Sequence, residues 1–243
     1  MGYRGFVVVL LFCAVSARGQ EVSTAIVPVV GNVIGVPGRW LTNVEIANAG
    51  AVDLDVALEL PAVPAASPLF FTLTPGQVQR FPDIVSEAFG LPSAVSPLRI
   101  TTNSRRGAAV RAFAYPMDQP EAPMQPLDVY DADVWFPVRV LDGLAFSDAY
   151  RTNIGLVNLG TAPAEFVVAL QRIPGRTIAV TYLRVEPDSI RHDAIQALFP
   201  LITAGTGFSV VVESNARDTY VYASVIESAT SSGKFITPRI GAR

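Results

Sequence analysis

The stretch W-L-T-N-V-E-I-A-N-A-G, Trp40 to Gly50, returns as Y-R-T-N-I-G-L-V-N-L-G at Tyr150 to Gly160, and this repeat constrains the fold more than any other feature. Thr42 falls on Thr152, Asn43 on Asn153, Asn48 on Asn158 and Leu60 on Leu170, all at a spacing of 110 residues. The spacing drifts by two where Pro75 meets Pro187, then recovers 110 at Asp83 with Asp193 and Phe89 with Phe199. Register regained after an insertion argues for an internal duplication, with two units of about 100 residues. Each copy of the opening stretch alternates apolar and polar residues, as a half-buried strand does. It closes on Asn-x-Gly, read as a turn whose residues tolerate positive φ.

In the first copy, alternation puts Trp40, Val44 and Ile46 toward a core and Leu41, Asn43, Glu45 and Ala47 away from it. D-L-D-V-A-L-E-L then turns Leu54, Val56, Leu58 and Leu60 inward. L-F-F-T-L-T and Q-V-Q-R-F flank Pro75-Gly76 and read as a hairpin. Asp83 is placed to cap a short helix, I-V-S-E-A-F, that Gly90 ends. Two more strands follow, 97–103 and 108–115. Seven strands of period two with one short helix predict an immunoglobulin-like sandwich. The fold class expected is therefore all-β: two tandem immunoglobulin-like β-sandwiches from an internal duplication, each with one short helix. The expected spans are a first sandwich over 20–117, a Pro/Asp-rich linker over 118–133 and a second sandwich over 134–243.

Proline marks a further recurrence. Pro28, Pro137 and Pro238 each interrupt a short β-type run, and a residue without an amide donor is expected on a sheet edge. Pro28 is matched with Pro137. Each copy is then expected to be closed by the run that follows it, Val134 to Val140 serving the first as well as opening the second, and Phe235 to Ile240 serving the second.

The opening residues read as a secretory signal peptide, 1–19: a basic start, an apolar run from Phe6 to Val15, then Ser16, Ala17 and Gly19. That run is too short to span a bilayer, and charges or prolines interrupt every later candidate, so no integral membrane segment is expected in the mature chain. Cys13, the only cysteine, lies inside the leader after Phe12, so neither a lipid anchor, a disulfide nor a thiolate site is expected. Loss of Arg4 and Arg18 leaves 16 basic against 21 acidic residues, a balance that does not suit a nucleic-acid partner. The expected location is secreted or periplasmic.

The paired stretches T-N-V-E-I-A-N-A-G-A-V-D-L-D-V-A-L-E-L and T-N-I-G-L-V-N-L-G-T-A-P-A-E-F-V-V-A-L resemble the second and third strands of bacterial Ig-like modules from cell-adhesion-related domains. With the Pro-Gly turn and short helix, the mature chain also resembles uncharacterised secreted bacterial proteins built of tandem Ig-like β-sandwiches. The resemblance implies a sandwich fold and an exported location, and brings no catalytic residues with it.

His192 is the sole histidine, so a hydrolytic triad would need it as base, yet no G-x-S-x-G elbow is present. Its counterpart in the first copy is Arg80, which favours a solvated strand-end residue. Asp128, Asp131 and Asp133, with Asp118 and Glu121 upstream, concentrate carboxylates between the copies. Calcium takes such oxygens, but a glycine-punctuated loop is missing, and a solvated linker is the plainer reading. Phe113, Tyr115, Tyr220 and Tyr222 are candidates for an exposed aromatic strip. The function expected is a non-catalytic structural, adhesion or assembly role at the cell envelope or exterior, with no cofactor and a protein or cell-surface partner. A glycan- or peptide-binding module is the alternative, and a hydrolase using His192 the remote one. Outward residues mostly differ between the copies, so any function is expected where they disagree.

Overall fold

The structure is a computed structural model that describes residues 22–35, 38–104, 106–118, 123–172, 175–230 and 232–241. The expected leader with Cys13, and Glu121 of the acidic linker, lie outside the described residues. The chain is all-β with two short helices, and every strand pair is antiparallel. No helix of the described residues is long and apolar enough to cross a membrane.

The first half contains β1 (Ser23–Gly35), β2 (Gly38–Asn48), β3 (Leu54–Glu59), β4 (Leu69–Leu73), β5 (Val78–Phe81), α1 (Ile84–Phe89), β6 (Ala94–Thr102), β7 (Ala108–Pro116), β8 (Gln125–Leu127) and β9 (Tyr130–Asp131). One layer runs β4-β3-β6-β1, with β9 on the far side of β1, and the other runs β5-β2-β7-β8. β1 crosses from the first layer to the second at its end, where Val33 pairs with Trp40 and Gly35 with Gly38. The inward faces of both layers meet in one core that includes Val27, Val30, Val44, Ile46, Val56, Leu58 and Ile100.

The second half contains β10 (Val138–Phe146), β11 (Tyr150–Asn158), β12 (Ala164–Arg172), β13 (Arg176–Val185), β14 (Ser189–Ala194), α2 (Ile195–Leu198), β15 (Gly205–Ser214), β16 (Thr219–Glu227), β17 (Gly233–Ile236) and β18 (Arg239–Ile240). Its layers run β13-β12-β15-β10-β18 and β14-β11-β16-β17, which is the strand order of the first half again, place for place. Leu141, Ile154, Leu156, Phe166 and Val210 lie in its core. Burying each such side chain contributes roughly 1.5–3 kcal/mol, so the inward face of each strand fixes its register.

Several backbone fastenings occur in both halves. The Thr42 hydroxyl accepts from Gly31 N at 2.9 Å and donates to Gly31 O at 3.3 Å. Thr152 does the same with Ala145, at 3.3 and 2.5 Å. Asn48 Nδ2 donates to Val52 O and Leu73 O at 2.7 and 2.8 Å, while its Oδ1 accepts from Gly50 N at 2.9 Å. Asn158 repeats all three bonds with Ala162, Val185 and Gly160. The Asn-x-Gly expectation is corrected here: Asn48, Gly50, Asn158 and Gly160 all lack a positive φ. The asparagine is a buried clamp on three backbone groups that would otherwise go unpaired.

Proline and turn geometry bring further corrections. Pro28 lies on a strand flanked by β6 and β9, and the β1–β6 register shifts between Val27 and Val30. A bulge, and not an edge, accommodates the missing donor. The threonine bonds make Gly31 the counterpart of Ala145, and the matching shift in β10 falls between Leu141 and Leu144, so Pro28 corresponds to Asp142 and not to Pro137. Pro75-Gly76 does not close a hairpin: β4 pairs with β3 and β5 with β2, so the turn carries the chain from one layer to the other. Gly76 has φ +78, as a splaying turn at that corner requires. The helix is as expected, with Asp83 accepting from Ser86 N at 3.2 Å and Gly90 left-handed at its end.

The segment expected as a linker supplies β8 and β9, which pair with β7 and β1 and close the first half. Val138 to Val140 open the second half, as expected, pairing with β15 and β18, and they form no strand pair with the first half. At the other end, β17 pairs with β16 and β18 with β10, so both strands of the Phe235 to Ile240 run join the second half.

Candidate functional site

The two halves meet where the outer face of β14-β11-β16-β17 faces β1 and β9. Ile26, Val157, Leu159, Tyr220 and Tyr222 form a buried cluster there, with Val29, Tyr130 and Phe235 packed against it. The Tyr130 and Tyr220 rings stand 5.5 Å apart. Asp128 Oδ1 accepts from Thr237 Oγ1 at 2.8 Å, which ties the closing segment of one half to that of the other. Arg99 reaches Asp188 at 3.5 Å, a partly exposed pair of little energetic weight.

Beside this cluster lies a cavity of about 430 Å³. The first half presents mainly apolar groups to it, among them Val29, Val33, Trp40, Leu41 and Leu127. The second presents Arg151, Asn153, His192, Tyr222, Ser224 and Phe235. Strand register explains this second wall. Asn153 stands opposite Ser224 and Gly155 opposite both His192 and Tyr222, so their side chains share the outer face in adjacent rows.

Gly155 is what lets the aromatic row form. A Cβ there would lie 2.0 Å from Tyr222 Cε1, so the Tyr222 ring rests directly on the glycine backbone. His192 Nδ1 is then 2.7 Å from the Tyr222 hydroxyl, and on the other side Tyr222 stacks on Phe235 at 5.0 Å and 12°. Burial raises the Tyr222 pKa, which keeps the hydroxyl protonated. Burial also lowers the His192 pKa, with Arg151 adding to the effect and Asp193 opposing it. His192 retains exposed surface overall, while its Nδ1 is turned onto Tyr222. Tyr220 is pushed up to about 12, first by burial and then by Asp218.

The sequence candidates are distributed differently from expectation. His192 does reach a cavity that also holds Ser224, but its Nδ1 is engaged by Tyr222 and no carboxylate of the described residues lines that space. Asp193 instead pairs with Arg191. Asp128 accepts from Tyr130 and Thr237, and Asp131 Oδ1 accepts from Asp133 N at 3.0 Å. Among the described residues no three metal-ligating side chains gather. The four aromatics form no single exposed strip: Tyr220 and Tyr222 are buried at the junction, while Phe113 and Tyr115 are half-buried on β7 of the first half, where Tyr115 donates to Pro82 O at 3.1 Å. Sequence reasoning missed Arg151, Asn153, Gly155 and Ser224. The available signal was Gly155 itself, a glycine inside a strand where the first half has Glu45 at the matching place, because such a glycine marks a close approach.

No family model matches the chain, and no curated protein matches it. Among solved structures it is similar to that of Thermotoga maritima 1070, at 15% identity and a TM-score of 0.36, over 44% of this chain and 93% of that one.

Proposed function

We propose that this is an exported, non-catalytic binding protein whose ligand occupies the cavity between its halves. In this reading the halves are two immunoglobulin-like sandwiches derived by duplication, behind a leader over 1–19, with the first extended through β9. The repeated strand order and the paired Thr42/Thr152 and Asn48/Asn158 bonds support the duplication. The observation that carries the binding reading is the cavity: about 430 Å³, mainly apolar, with a few polar groups, most of them on the second half's wall and Gln125 on the first half's. Small-molecule sites have this size and character, and they favour junctions between domains.

The test is calorimetric titration with naphthalenemethanol, an uncharged apolar probe, against the wild type and Ser224→Phe. Saturable binding of one molecule to the wild type, lost in the variant, is expected. Absence of binding to the wild type, or equal binding to a folded variant, overturns the reading.

A second reading, surface adhesion or assembly, draws on a different feature. β13 is an edge strand, and Ile178, Val180 and Tyr182 on its outward face are 45%, 47% and 75% exposed. An open apolar edge is suited to pairing with another chain.

A further inference from the structure

A second polar feature lies apart from the cavity and is independent of what the cavity holds. Arg139 on β10 is only 7% exposed and stands opposite Val212 of the second core. Counted from the register shifts that follow Leu141 and Val27, its place in the first half belongs to Ala25, opposite Ile100. The shared strand frame therefore does not call for a cation here. Arg139 Nη2 donates to Thr219 Oγ1 at 3.1 Å, whereas Nη1 is buried and has no acceptor. Among the described residues no carboxylate pairs with this guanidinium. Burial pulls its pKa down to about 10, so it keeps its charge at neutral pH. Tyr130 and Tyr220 lie near it, but burial raises both phenols, Tyr220 to about 12, so neither supplies the missing negative charge.

The same corner carries a second donor. Trp135 Nε1 is also buried with no acceptor, and the Trp135 ring lies under Arg217, two residues before Thr219. Two buried donors without acceptors, one of them on a full charge, destabilise a fold unless something accepts from them. A water accepts but leaves the charge uncompensated; an anion does both, through charge-assisted bonds. One buried cation matches one negative charge, and the depth of Arg139 suits an ion of one or a few atoms. We infer that this corner binds a small monovalent anion of halide size, held by Arg139 Nη1 and Trp135 Nε1.

Thermal melting of the full chain in rising sodium chloride, with sodium gluconate holding ionic strength constant, reads the site in solution. A saturable rise is expected, and chloride at ten times its dissociation constant should strengthen the folding equilibrium about elevenfold. Arg139→Met should abolish this dependence and still fold, because an apolar side chain of similar length replaces an unpaired buried charge. Crystals grown in sodium bromide should show an anomalous bromine peak within hydrogen-bonding reach of Arg139 Nη1 and Trp135 Nε1. A wild type indifferent to chloride, an equal rise in the variant, or no bromide at these two donors overturns the inference. Bromide at Arg139 without a chloride effect in solution is an adventitious ion only, and overturns it too. Should Arg139→Met fail to fold, the wild-type titration and the bromide position decide together.

Discussion

The same cross-strand row reads Arg80–Glu45–Arg111 in the first half and His192–Gly155–Tyr222 in the second. In the first half it is a charged surface row, with Arg80 and Glu45 paired at 3.2 Å. In the second half glycine replaces the central acid, the Tyr222 ring settles onto its backbone, and the row becomes one wall of the cavity. Around both rows the buried threonine and asparagine bonds are the same. Shared residues therefore hold the backbone, and differing residues make the second half's outer face fit to meet the first half.

The most severe way to break this comparison is to charge the shared core. Ile46 and Leu156 are buried at matching positions, so Ile46→Asp and Leu156→Asp should each destabilise its own half by several kcal/mol. Differential scanning calorimetry checks this, and a wild-type transition in either variant would show that the inward face was misassigned. Asn48→Ala and Asn158→Ala should come next, at on the order of 2–4 kcal/mol, because each strands buried backbone groups. Their melting shifts should match closely; a large difference would mean that the clamp is used in one half only.

The differing row sharpens the contrast. Gly155→Ala forces Tyr222 off its seat and should destabilise the protein by about 1–3 kcal/mol. Glu45→Ala at the matching position removes a partly exposed ion pair and should change stability by less than about 1 kcal/mol. Equal melting shifts for the two would remove the distinction. The smallest effect expected is on pH dependence. Burial holds the folded His192 pKa below its ordinary value of about 6.5, so the unfolded chain binds the proton more readily. Stability should therefore fall as pH drops from about 6.5 through the folded pKa, and be unaffected by this group above that range. The groups facing or adjoining His192 are Tyr222, Arg151 and Asp193. Chemical denaturation across this range should show a shallower slope for His192→Gln, and an unchanged slope would place the titration elsewhere.

Much of the fold was legible because period-two patterning reports which face of a strand is buried, as at Val44, Ile46, Leu54 and Leu58. The helix at Ile84–Phe89 was legible for a local reason, its Asp83 cap and Gly90 end. Pairing partners were less so: a Pro-Gly turn looks alike whether it closes a hairpin or crosses between layers, and only β2 and β3 decide that for β5 and β4. Pro28 carried the same ambiguity between edge and bulge. The site was hidden for a related reason. Arg151, Asn153, His192 and Ser224 all look like ordinary outward residues until the other half is set against them, and His192 keeps exposed surface even then.

The most direct measurement of the central claim uses the two tryptophans. Trp40 lines the cavity and Trp135 does not. With both replaced by fluorotryptophan, fluorine NMR during a naphthalenemethanol titration should shift the Trp40 resonance and leave that of Trp135 in place. A titration in which Trp40 stays unmoved while naphthalenemethanol binds would put the ligand elsewhere and contradict the account.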